Sequence, residues 1–283
     1  MSVQSIIKRR IDKAMKKHFL KYLKFYFIIF LTQYAVSVLA LTPEEEDQKR
    51  IADLVLANHI IADQGVVDGF GHISVRSVKN PNHYFMSRSK APAVVTIQDI
   101  IEYDLDDRPI NTNGLQPYGE RFIHSEIYKI RPDVQSIIHS HSPSVIPFSV
   151  SDVPLKPIAN TSGFLIRDVP VFEIRETAGA ATDMLVKNKE LGAALAKKLA
   201  DGNVVLMRGH GMAVVGKSIK LAVSHAIYTE RNAQLQTQAL QLGGRITFYT
   251  EEEALNSGKF IDSQVDRPWE IWADQANQRL IKH

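Results

Sequence analysis

Apolar positions beyond residue 41 change repeatedly between a helical spacing of three to four residues and short continuous runs. The first pattern predicts helices with one buried side, and the second predicts buried strands. The predicted helices cover 43–64, 120–130, 182–199, 218–242 and 266–280. The predicted strands cover 69–76 with its leading turn, 83–86, 101–105, 134–138, 171–174 and 203–207. Strands and helices mixed along one run predict an α/β fold, with helices on both faces of a sheet.

Residues that begin or stop helices support two of these boundaries. Thr42 is a predicted N-cap and Pro43 suits the first helical position, while Gly65 stops that helix. Ser218 is predicted to cap the long helix 218–242, which ends at two glycines. We therefore expect the folded domain to cover 41–283.

The first forty residues have the composition of a targeting segment. Basic residues precede an apolar run over 25–39, and Val38, Leu39 and Ala40 provide short side chains before a cleavage point. We expect 1–40 to be a signal peptide and the protein to be periplasmic or secreted. An uncleaved membrane anchor is the alternative, and a cytoplasmic location follows if the segment does not function as a leader.

The basic charge of the chain resides in this leader. The chain has 34 Lys and Arg against 31 Asp and Glu, but residues 1–40 hold eight of the basic residues and one acidic residue. The remaining 26 basic and 30 acidic residues give a net charge of −4, which makes no case for nucleic acid as a partner. No cysteine is present, so disulfides, thiolate metal ligands and a cysteine nucleophile are excluded.

Three histidines occupy positions from which their rings can converge. His139 and His141 end one predicted strand, and residues two apart on a strand point to the same face. His210 follows a second predicted strand and lies between two glycines. Three neutral imidazoles on rigid supports predict a site for a divalent cation, with a further position open for substrate. For each histidine taken alone, the alternative is a hydrogen-bonded polar residue at a strand end.

Two further titratable residues lie on the predicted helix 120–130. Glu120 is in its first turn, and His124 lies four residues later on the same face. Taken alone, Glu120 is a carboxylate at a helix start, which the helix dipole favours. Taken alone, His124 is a half-buried surface residue.

Five short motifs follow one another along the chain. They are Gly71-His72-Ile73-Ser74, Glu120 with His124 and Ile127-Tyr128, Arg131-Pro132-Asp133-Val134, His139-Ser140-His141, and Gly209-His210-Gly211. Together, across residues 45 to 280, they resemble the class II aldolase/adducin family. The resemblance implies a three-layer α/β/α sandwich with a central, largely antiparallel sheet. It also implies a cyclic homotetramer with active sites between subunits.

The resemblance implies roles for individual residues. His139, His141 and His210 would bind one divalent metal ion per subunit, zinc or manganese. Glu120 would be the catalytic acid/base and would also contact the metal in the absence of substrate. His72, at the position of the family's usual asparagine, would be a second catalytic group.

The substrate pocket departs from that of the family's sugar-phosphate aldolases. Lys90 replaces an expected glycine in the loop Ser87-Arg88-Ser89-Lys90, and Tyr118-Gly119 stands where paired serines are expected. These changes remove a cradle for phosphate. Arg88, Lys90 and Arg121 are instead suited to a carboxylate, for which a guanidinium fork is well shaped. The predicted substrate-binding residues are Gly71, Ser74, Ser87, Arg88, Ser89, Lys90 and Arg121.

Three functions follow from these motifs. The first is a metal-dependent decarboxylase of a hydroxylated, in some cases aromatic, carboxylic acid, because the variant motifs resemble the family's hydroxy-methylpyridine-dicarboxylate and dihydroxyphthalate decarboxylases. The second is an aldolase, epimerase or dehydratase that acts on a sugar-like substrate. The third is a non-catalytic interaction module like the adducin head domain. This function is disfavoured, because a module without metal has no physical reason to keep three imidazoles and Glu120. The expected partner is a small-molecule carboxylate.

Overall fold

The computed structural model describes residues 15, 16, 18, 19, 21, 41–110, 112, 114–166 and 168–282. The predicted leader therefore lies outside the described residues except at five positions, and the predicted signal peptide or anchor stays a prediction. Among the residues that are described, no helix has both the length and the apolar character needed to cross a bilayer. The folded unit runs from Pro43 to His283.

Seven strands form one sheet in the order β3-β2-β1-β4-β7-β6-β5. Every neighbouring pair is antiparallel except β5 and β6, which are parallel. The strands are β1 (His72–Arg76), β2 (His83–Ser87), β3 (Ile100–Asp104), β4 (Ser136–Ser140), β5 (Val171–Phe172), β6 (Val204–Met207) and β7 (Gly211–Gly216). Each of the six predicted strands is present, and β7 is an addition to them.

Helices cover both faces of this sheet. The α-helices are α1 (Pro43–Asp63), α2 (Phe122–Ile130), α3 (Ile146–Ser149), α4 (Arg175–Ala178), α5 (Lys189–Leu199), α6 (Ile219–Leu242), α7 (Glu251–Ser263) and α8 (Asp266–Lys282). Short 3₁₀ segments cover Pro92–Val94, Ile97–Asp99 and Asn160–Leu165. As predicted, the side chain of Ser218 caps α6 by accepting a hydrogen bond from Leu221 N–H, and the helix ends at Gly243.

Alternation along the strands divides the core into two layers. Ile73 and Val75 of β1 pack in a cluster that includes residues of α1, α6 and α8. Ser74, between them, points to the opposite face, where α2 and α5 supply the second cluster. Because the sheet is buried on both sides, the arrangement is the predicted α/β/α sandwich with a largely antiparallel sheet.

One predicted helix was wrong in its extent, and another helix was not predicted. The helix predicted over 182–199 begins at Lys189, because the Asn188 side chain caps it there and Met184 has a φ of +69° that no α-helix accommodates. Helix α7 was not predicted, since Ala254 and Gly258 are its buried residues and provide little apolar periodicity. It begins with a capping box in which Thr250 and Glu253 exchange hydrogen bonds.

Candidate metal centre

Strand pairing places three histidine rings on the face of the sheet that α2 covers. His72 on β1 lies directly opposite His139 on β4, and their ring centroids are 5.0 Å apart. His141 follows β4 immediately, and its ring centroid is 5.1 Å from that of His139. The predicted shared direction of His139 and His141 is therefore confirmed.

The turn between β6 and β7 brings in the third predicted ligand. His210 N–H donates to Met207 O at 3.0 Å, which closes this turn. A glycine is required at position 211, where φ is +156° and an added Cβ would lie 1.9 Å from Ser140 O. This close approach carries the His210 ring to within 4.8 Å of the His139 ring and 4.7 Å of the His141 ring, measured between centroids.

Glu120 completes the cluster from the other side. It lies in the turn before α2 and not in the first turn of the helix, which begins at Phe122, so the predicted helix start was two residues early. Val186 N–H donates to Glu120 Oε1 at 2.9 Å. The other oxygen, Oε2, lies 3.7 Å from Nε2 of both His139 and His210. The carboxylate is thus anchored by one oxygen and directs the second at the imidazoles.

The four donor atoms fit a divalent cation. All of them lie within 4.8 Å of one another. Two ligands that are each about 2.1 Å from a tetrahedral ion are about 3.4 Å apart, close to the 3.7 Å separations at Glu120. His141 Nε2 and His210 Nε2 are 2.9 Å apart, somewhat closer than this ligand spacing. The donor set of three imidazoles and one carboxylate suits zinc and manganese alike.

Burial keeps these three rings neutral, and hydrogen bonding leaves one nitrogen of His139 available to a ligand. His139 Nδ1 donates to Met212 O at 3.1 Å, which leaves the lone pair on Nε2, a buried atom without a partner. Burial, together with neighbouring imidazoles, holds the pKa of His139 well below its usual range and lowers that of His210 to about 4. Burial also lowers the pKa of His141. Neutral imidazole is the form that binds a metal.

Burial has the opposite effect on the carboxyl group. It raises the pKa of Glu120 to about 7, the hydrogen bond from Val186 N–H acts against this rise, and the negative charge of Asp183 adds to it. A carboxyl group with a pKa near 7 can both give and take a proton at neutral pH. Glu120 therefore has the properties of an acid/base group as well as of a ligand.

His72 lies beside the cluster and outside it. Its ring packs against Tyr118 at 4.5 Å and against His124 at 4.8 Å, measured between centroids. His72 Nδ1 is 2.6 Å from His124 Nε2. His124 is fully buried, so the prediction of a half-buried surface residue was wrong: α2 lies on the sheet with this side chain inward.

The structure places two of the predicted substrate-binding residues in structural roles. Gly71 has a φ of +103°, and an added Cβ would lie 2.6 Å from Val67 Cγ1 and 3.0 Å from His139 O, so it admits the backbone of β1 close to β4. The Ser74 hydroxyl is buried and bonded to His124 Nδ1 and to the Tyr128 hydroxyl. Gly71 has no side chain and the Ser74 hydroxyl is already bonded, so neither residue directs a free polar side-chain group at the metal cluster.

The predicted substrate loop is held by an acidic residue that the sequence analysis did not single out. Arg88 Nε and Lys90 Nζ each donate to Asp99 at 2.7 Å. Ser87 is buried and Ser89 is exposed. The two cations of this loop therefore already share one carboxylate.

Arg121 is also occupied by the protein. It donates from Nε to Asp107 O at 3.0 Å and from Nη1 to Tyr118 O at 3.0 Å. Its guanidinium carbon lies 4.6 Å from the centre of the Phe122 ring. Arg121 thus joins the turn that carries Glu120 to the loop after β3.

Sequence reasoning missed the segment 182–188 as part of the site. Val186 contributes a backbone N–H to Glu120, and a backbone donor leaves no side-chain signal in a sequence. Met184 accepts a hydrogen bond through Sδ from Arg208 at 3.4 Å, and Arg208 also pairs with Glu173 at 2.7 Å. The positive φ of Met184 was equally invisible, because methionine carries no preference for it.

Comparison with known proteins gives relatives over most of the chain. The class II aldolase and adducin N-terminal domain matches residues 52–237. Decarboxylase tropJ of Talaromyces stipitatus is 38% identical over 236 residues, which cover 76% of this chain and 89% of that protein. The 3,4-dihydroxyphthalate decarboxylase of Arthrobacter keyseri is 30% identical over 207 residues, which cover 68% of this chain and 79% of that protein.

A solved structure gives the same fold. The L-fuculose 1-phosphate aldolase from Glaciozyma antarctica PI12 superposes with a TM-score of 0.70 and 24% sequence identity, over 84% of this chain and 94% of that chain. At this identity the likeness supports the fold alone. Matched along most of its folded part, the chain belongs to the class II aldolase/adducin family.

Proposed function

We propose that the protein is a divalent-metal-dependent lyase that decarboxylates a hydroxylated, in some cases aromatic, carboxylic acid. The observation that carries the proposal is the cluster of His139, His141, His210 and Glu120, whose donor atoms converge within 4.8 Å. Two relatives that are named decarboxylases, at 38% and 30% identity, support the choice of reaction.

Three imidazoles would hold the ion, either zinc or manganese, and Glu120 would be a further ligand only in the absence of substrate. When bound, a divalent cation supplies Lewis-acid charge that stabilises electron density on a substrate oxygen. The protein contributes neutral rings, since burial lowers the pKa of each of the three histidines. It also contributes a fixed direction, because Met212 O holds the His139 tautomer.

Glu120 is the proposed proton carrier. In decarboxylation the bond to the carboxylate carbon breaks, carbon dioxide leaves, and the electron pair stays on the substrate carbon. That carbon then takes a proton, which a protonated Glu120 can deliver because its pKa is about 7. The Val186 N–H holds Oε1 in place, so Oε2 is the oxygen that exchanges the proton with substrate and then with water.

The remaining predicted residues would orient the substrate. His72 would donate a hydrogen bond to a substrate oxygen, and Arg88 and Lys90 would attract the substrate carboxylate. Their shared partner Asp99 offsets part of that attraction, so the pair binds a carboxylate weakly. Weak pairing favours decarboxylation, because a strongly stabilised anion resists conversion into neutral carbon dioxide. Gly71, Ser74, Ser87, Ser89 and Arg121 would shape and support this pocket.

The two alternative functions differ in whether they need the histidine cluster. An aldolase, epimerase or dehydratase would use the same cluster on a sugar-like substrate, and a non-catalytic module would not need it. The buried Nε2 of His139 has no hydrogen-bond partner among the described residues, and such an atom costs free energy unless a ligand engages it. This observation favours an enzyme over a module.

Assembly and location are further parts of the proposal. A homotetramer with active sites between subunits is proposed from the family, and light scattering of the purified protein tests it by mass. Export through the leader 1–40 is proposed from its composition. N-terminal sequencing of the protein expressed in a bacterium would give a start near Leu41 after cleavage. A membrane-bound chain that retains 25–39 would instead identify an anchor.

The decisive experiment measures carbon dioxide release. Purified protein, loaded with zinc or with manganese, would be incubated with a panel of hydroxylated aromatic and aliphatic acids. We expect release from at least one hydroxy acid, and its loss after removal of the metal with EDTA. Cleavage of sugar phosphates without carbon dioxide release would support the aldolase instead. A protein that binds no metal and releases no carbon dioxide would refute both enzymatic functions.

A further inference from the structure

A chain of hydrogen bonds runs from His72 into the core. His72 Nδ1 is 2.6 Å from His124 Nε2, and His124 Nδ1 is 2.7 Å from Ser74 Oγ. Ser74 Oγ is in turn 2.9 Å from the Tyr128 hydroxyl oxygen. All four residues are buried, with at most 2% of any of them exposed. Water therefore cannot replace a missing partner at the inner positions, and each hydrogen must be placed within the chain.

The inner end of the chain sets the order of the donors. Tyr128 has two possible acceptors, Ser74 Oγ at 2.9 Å and Gln135 O at 3.4 Å. The longer separation lies outside the usual range of a hydrogen bond, and Gln135 O already accepts from Arg76 N–H at 2.8 Å. The Tyr128 hydroxyl therefore donates to Ser74.

The order then propagates to His72. Because Ser74 Oγ accepts from Tyr128, its own hydrogen is left for His124 Nδ1. Burial lowers the pKa of His124 to about 3, so the ring is neutral and carries its one hydrogen on Nε2. That hydrogen points to His72 Nδ1, which must accept it. The hydrogen of neutral His72 is consequently on Nε2.

The His72 ring lies beside the metal cluster, with its centroid 5.0 Å from that of the His139 ring. His72 Nδ1 is engaged by His124, so Nε2 is the ring nitrogen that remains for a substrate atom. His72 is also paired directly across the sheet with His139, one of the four cluster residues.

We propose that His124 is a positioning residue that holds His72 as its Nε2–H tautomer, so that the substrate oxygen beside the cluster must be a hydrogen-bond acceptor. This deepens the proposed function and rests on it for the identity of the site. An acceptor oxygen is one of a carboxylate, a carbonyl or a phenolate, or a hydroxyl that donates its own hydrogen elsewhere. The site thus excludes a substrate group that can only donate at this position.

The test reads the tautomer directly. Zinc-loaded protein labelled with ¹⁵N at histidine gives separate Nδ1 and Nε2 signals in long-range ¹H–¹⁵N spectra, with His72 assigned from the spectrum of His72→Gln. We expect His72 to carry its hydrogen on Nε2. A spectrum with the hydrogen on Nδ1 would overturn the proposal. No substrate is needed, so this result stands apart from any failure to observe carbon dioxide release.

Ser74→Ala provides the perturbation. It removes the donor to His124 Nδ1 and keeps both rings, so His124 becomes free to carry its hydrogen on Nδ1 and to accept from His72. We expect a His72 Nδ1–H population to appear. The matched control is Ser136→Ala, which removes another buried hydroxyl that donates to the Ser74 carbonyl and touches neither ring. An unchanged His72 signal in folded Ser74→Ala would contradict the relay.

His124→Phe tests the role in turnover. Phenylalanine keeps an aromatic ring at position 124 but cannot hydrogen-bond to His72. Loss of a residue that orients a functional group typically lowers activity by about 10–100-fold. We expect kcat to fall in that range while metal content and KM change little. His225→Phe is the control, since His225 is an equally buried histidine bonded to Val215 O and Asp262 on another helix. Equal losses in the two variants would assign the effect to general destabilisation and refute a positioning role.

Discussion

The histidine cluster and the loop Ser87–Lys90 both hold predicted site residues, yet they present their polar atoms in opposite ways. At the cluster, His139 Nε2 is buried without a partner and Glu120 directs Oε2 at two imidazoles from 3.7 Å. In the loop, Arg88 and Lys90 are both bonded to Asp99. The cluster therefore keeps His139 Nε2 and Glu120 Oε2 available, whereas the loop has already paired its charges.

Backbone support explains this difference. The histidine rings lie on or beside paired strands, whose register determines the direction of each side chain before any ligand is present. Arg88 and Lys90 have long flexible stems, and such a cation pairs with whichever carboxylate lies in reach. A residue type that suits a ligand is thus a dependable predictor of function on a strand and a weaker one in a loop.

The largest expected effect comes from removing a ligand of the cluster. His139→Ala, His141→Ala and His210→Ala should each remove the metal and abolish activity, because two imidazoles and a carboxylate leave the ion with too few fixed donors. The fold should persist, since apolar residues hold β4 and β7 in the sheet. Metal analysis of the purified variants checks this. His59→Ala, at a histidine bonded to Val95 O, should keep its metal; full metal content in a cluster variant would disprove that residue's assignment.

The second effect separates catalysis by Glu120 from scaffolding. Glu120→Gln keeps an oxygen for Val186 N–H but cannot carry the proton, so kcat should fall by about 10²–10⁴-fold with metal retained. A role limited to favourable charge near a helix start would cost only about 0.3–1 kcal/mol. Steady-state kinetics with parallel metal analysis distinguishes the two. Glu126→Gln, which alters a carboxylate paired with Lys129, is the matched control, and turnover within a few-fold of wild type in Glu120→Gln would exclude the proton-carrier role.

The third effect is a difference in pH dependence between the two regions. The pKa of His124 is lowered to about 3 and that of His210 to about 4, against about 6.5 in an unfolded chain. Below pH 6.5 the unfolded state thus binds more protons at these rings, and the free energy of unfolding should fall with acidification by up to about 1.4 kcal/mol per pH unit for each histidine. Glu120 acts in the opposite direction, because its pKa is raised to about 7 in the folded protein. Between pH 7 and the pKa of an unfolded glutamate, it offsets the change in the free energy of unfolding that one histidine causes.

The loop should respond only at lower pH. Burial acts to raise the pKa of Asp99, but hydrogen bonds from Lys90, Thr96 and Arg88 outweigh it and hold the pKa well below its usual range. Its stabilising contribution is present above pH 3.9 and is lost only as the pH falls below that value. Urea unfolding of the EDTA-treated protein at pH 7.5, 6.5, 5.5 and 4.5 measures the histidine window. A flat profile over this range would contradict the neutral buried rings.

The smallest expected effect belongs to the loop cations. Since Arg88 and Lys90 already pair with Asp99, each should add about 0.2–1 kcal/mol to carboxylate binding, which corresponds to at most about a five-fold rise in KM for Arg88→Met or Lys90→Met. The kcat value should be unchanged. Lys79→Met, which alters an exposed lysine paired with Glu44, controls for loss of charge alone. A rise in KM above 100-fold would show that the loop is a principal anchor of the substrate.

Much of the fold and part of the site could be predicted because their signals are local. Apolar spacing located six of the seven strands, and Ser218 with Gly243 located both ends of α6. The spacing of His139 and His141 carried their shared direction, because the period of a strand is a property of the backbone. Helix α7 escaped prediction, since its buried side consists of two small residues.

Only the tertiary structure decided the contacts between segments that are distant in the chain. The sequence could place Glu120, Val186 and His210 on separate elements, but only their packing brings a backbone N–H to one carboxylate oxygen and two rings to the other. It likewise decided that His124 lies under His72 and that Asp99 takes both loop cations. Residue types and local periods are written in the order of the chain, whereas hydrogen-bond partners and burial depend on which surfaces meet, and that is settled by the packing of the whole core.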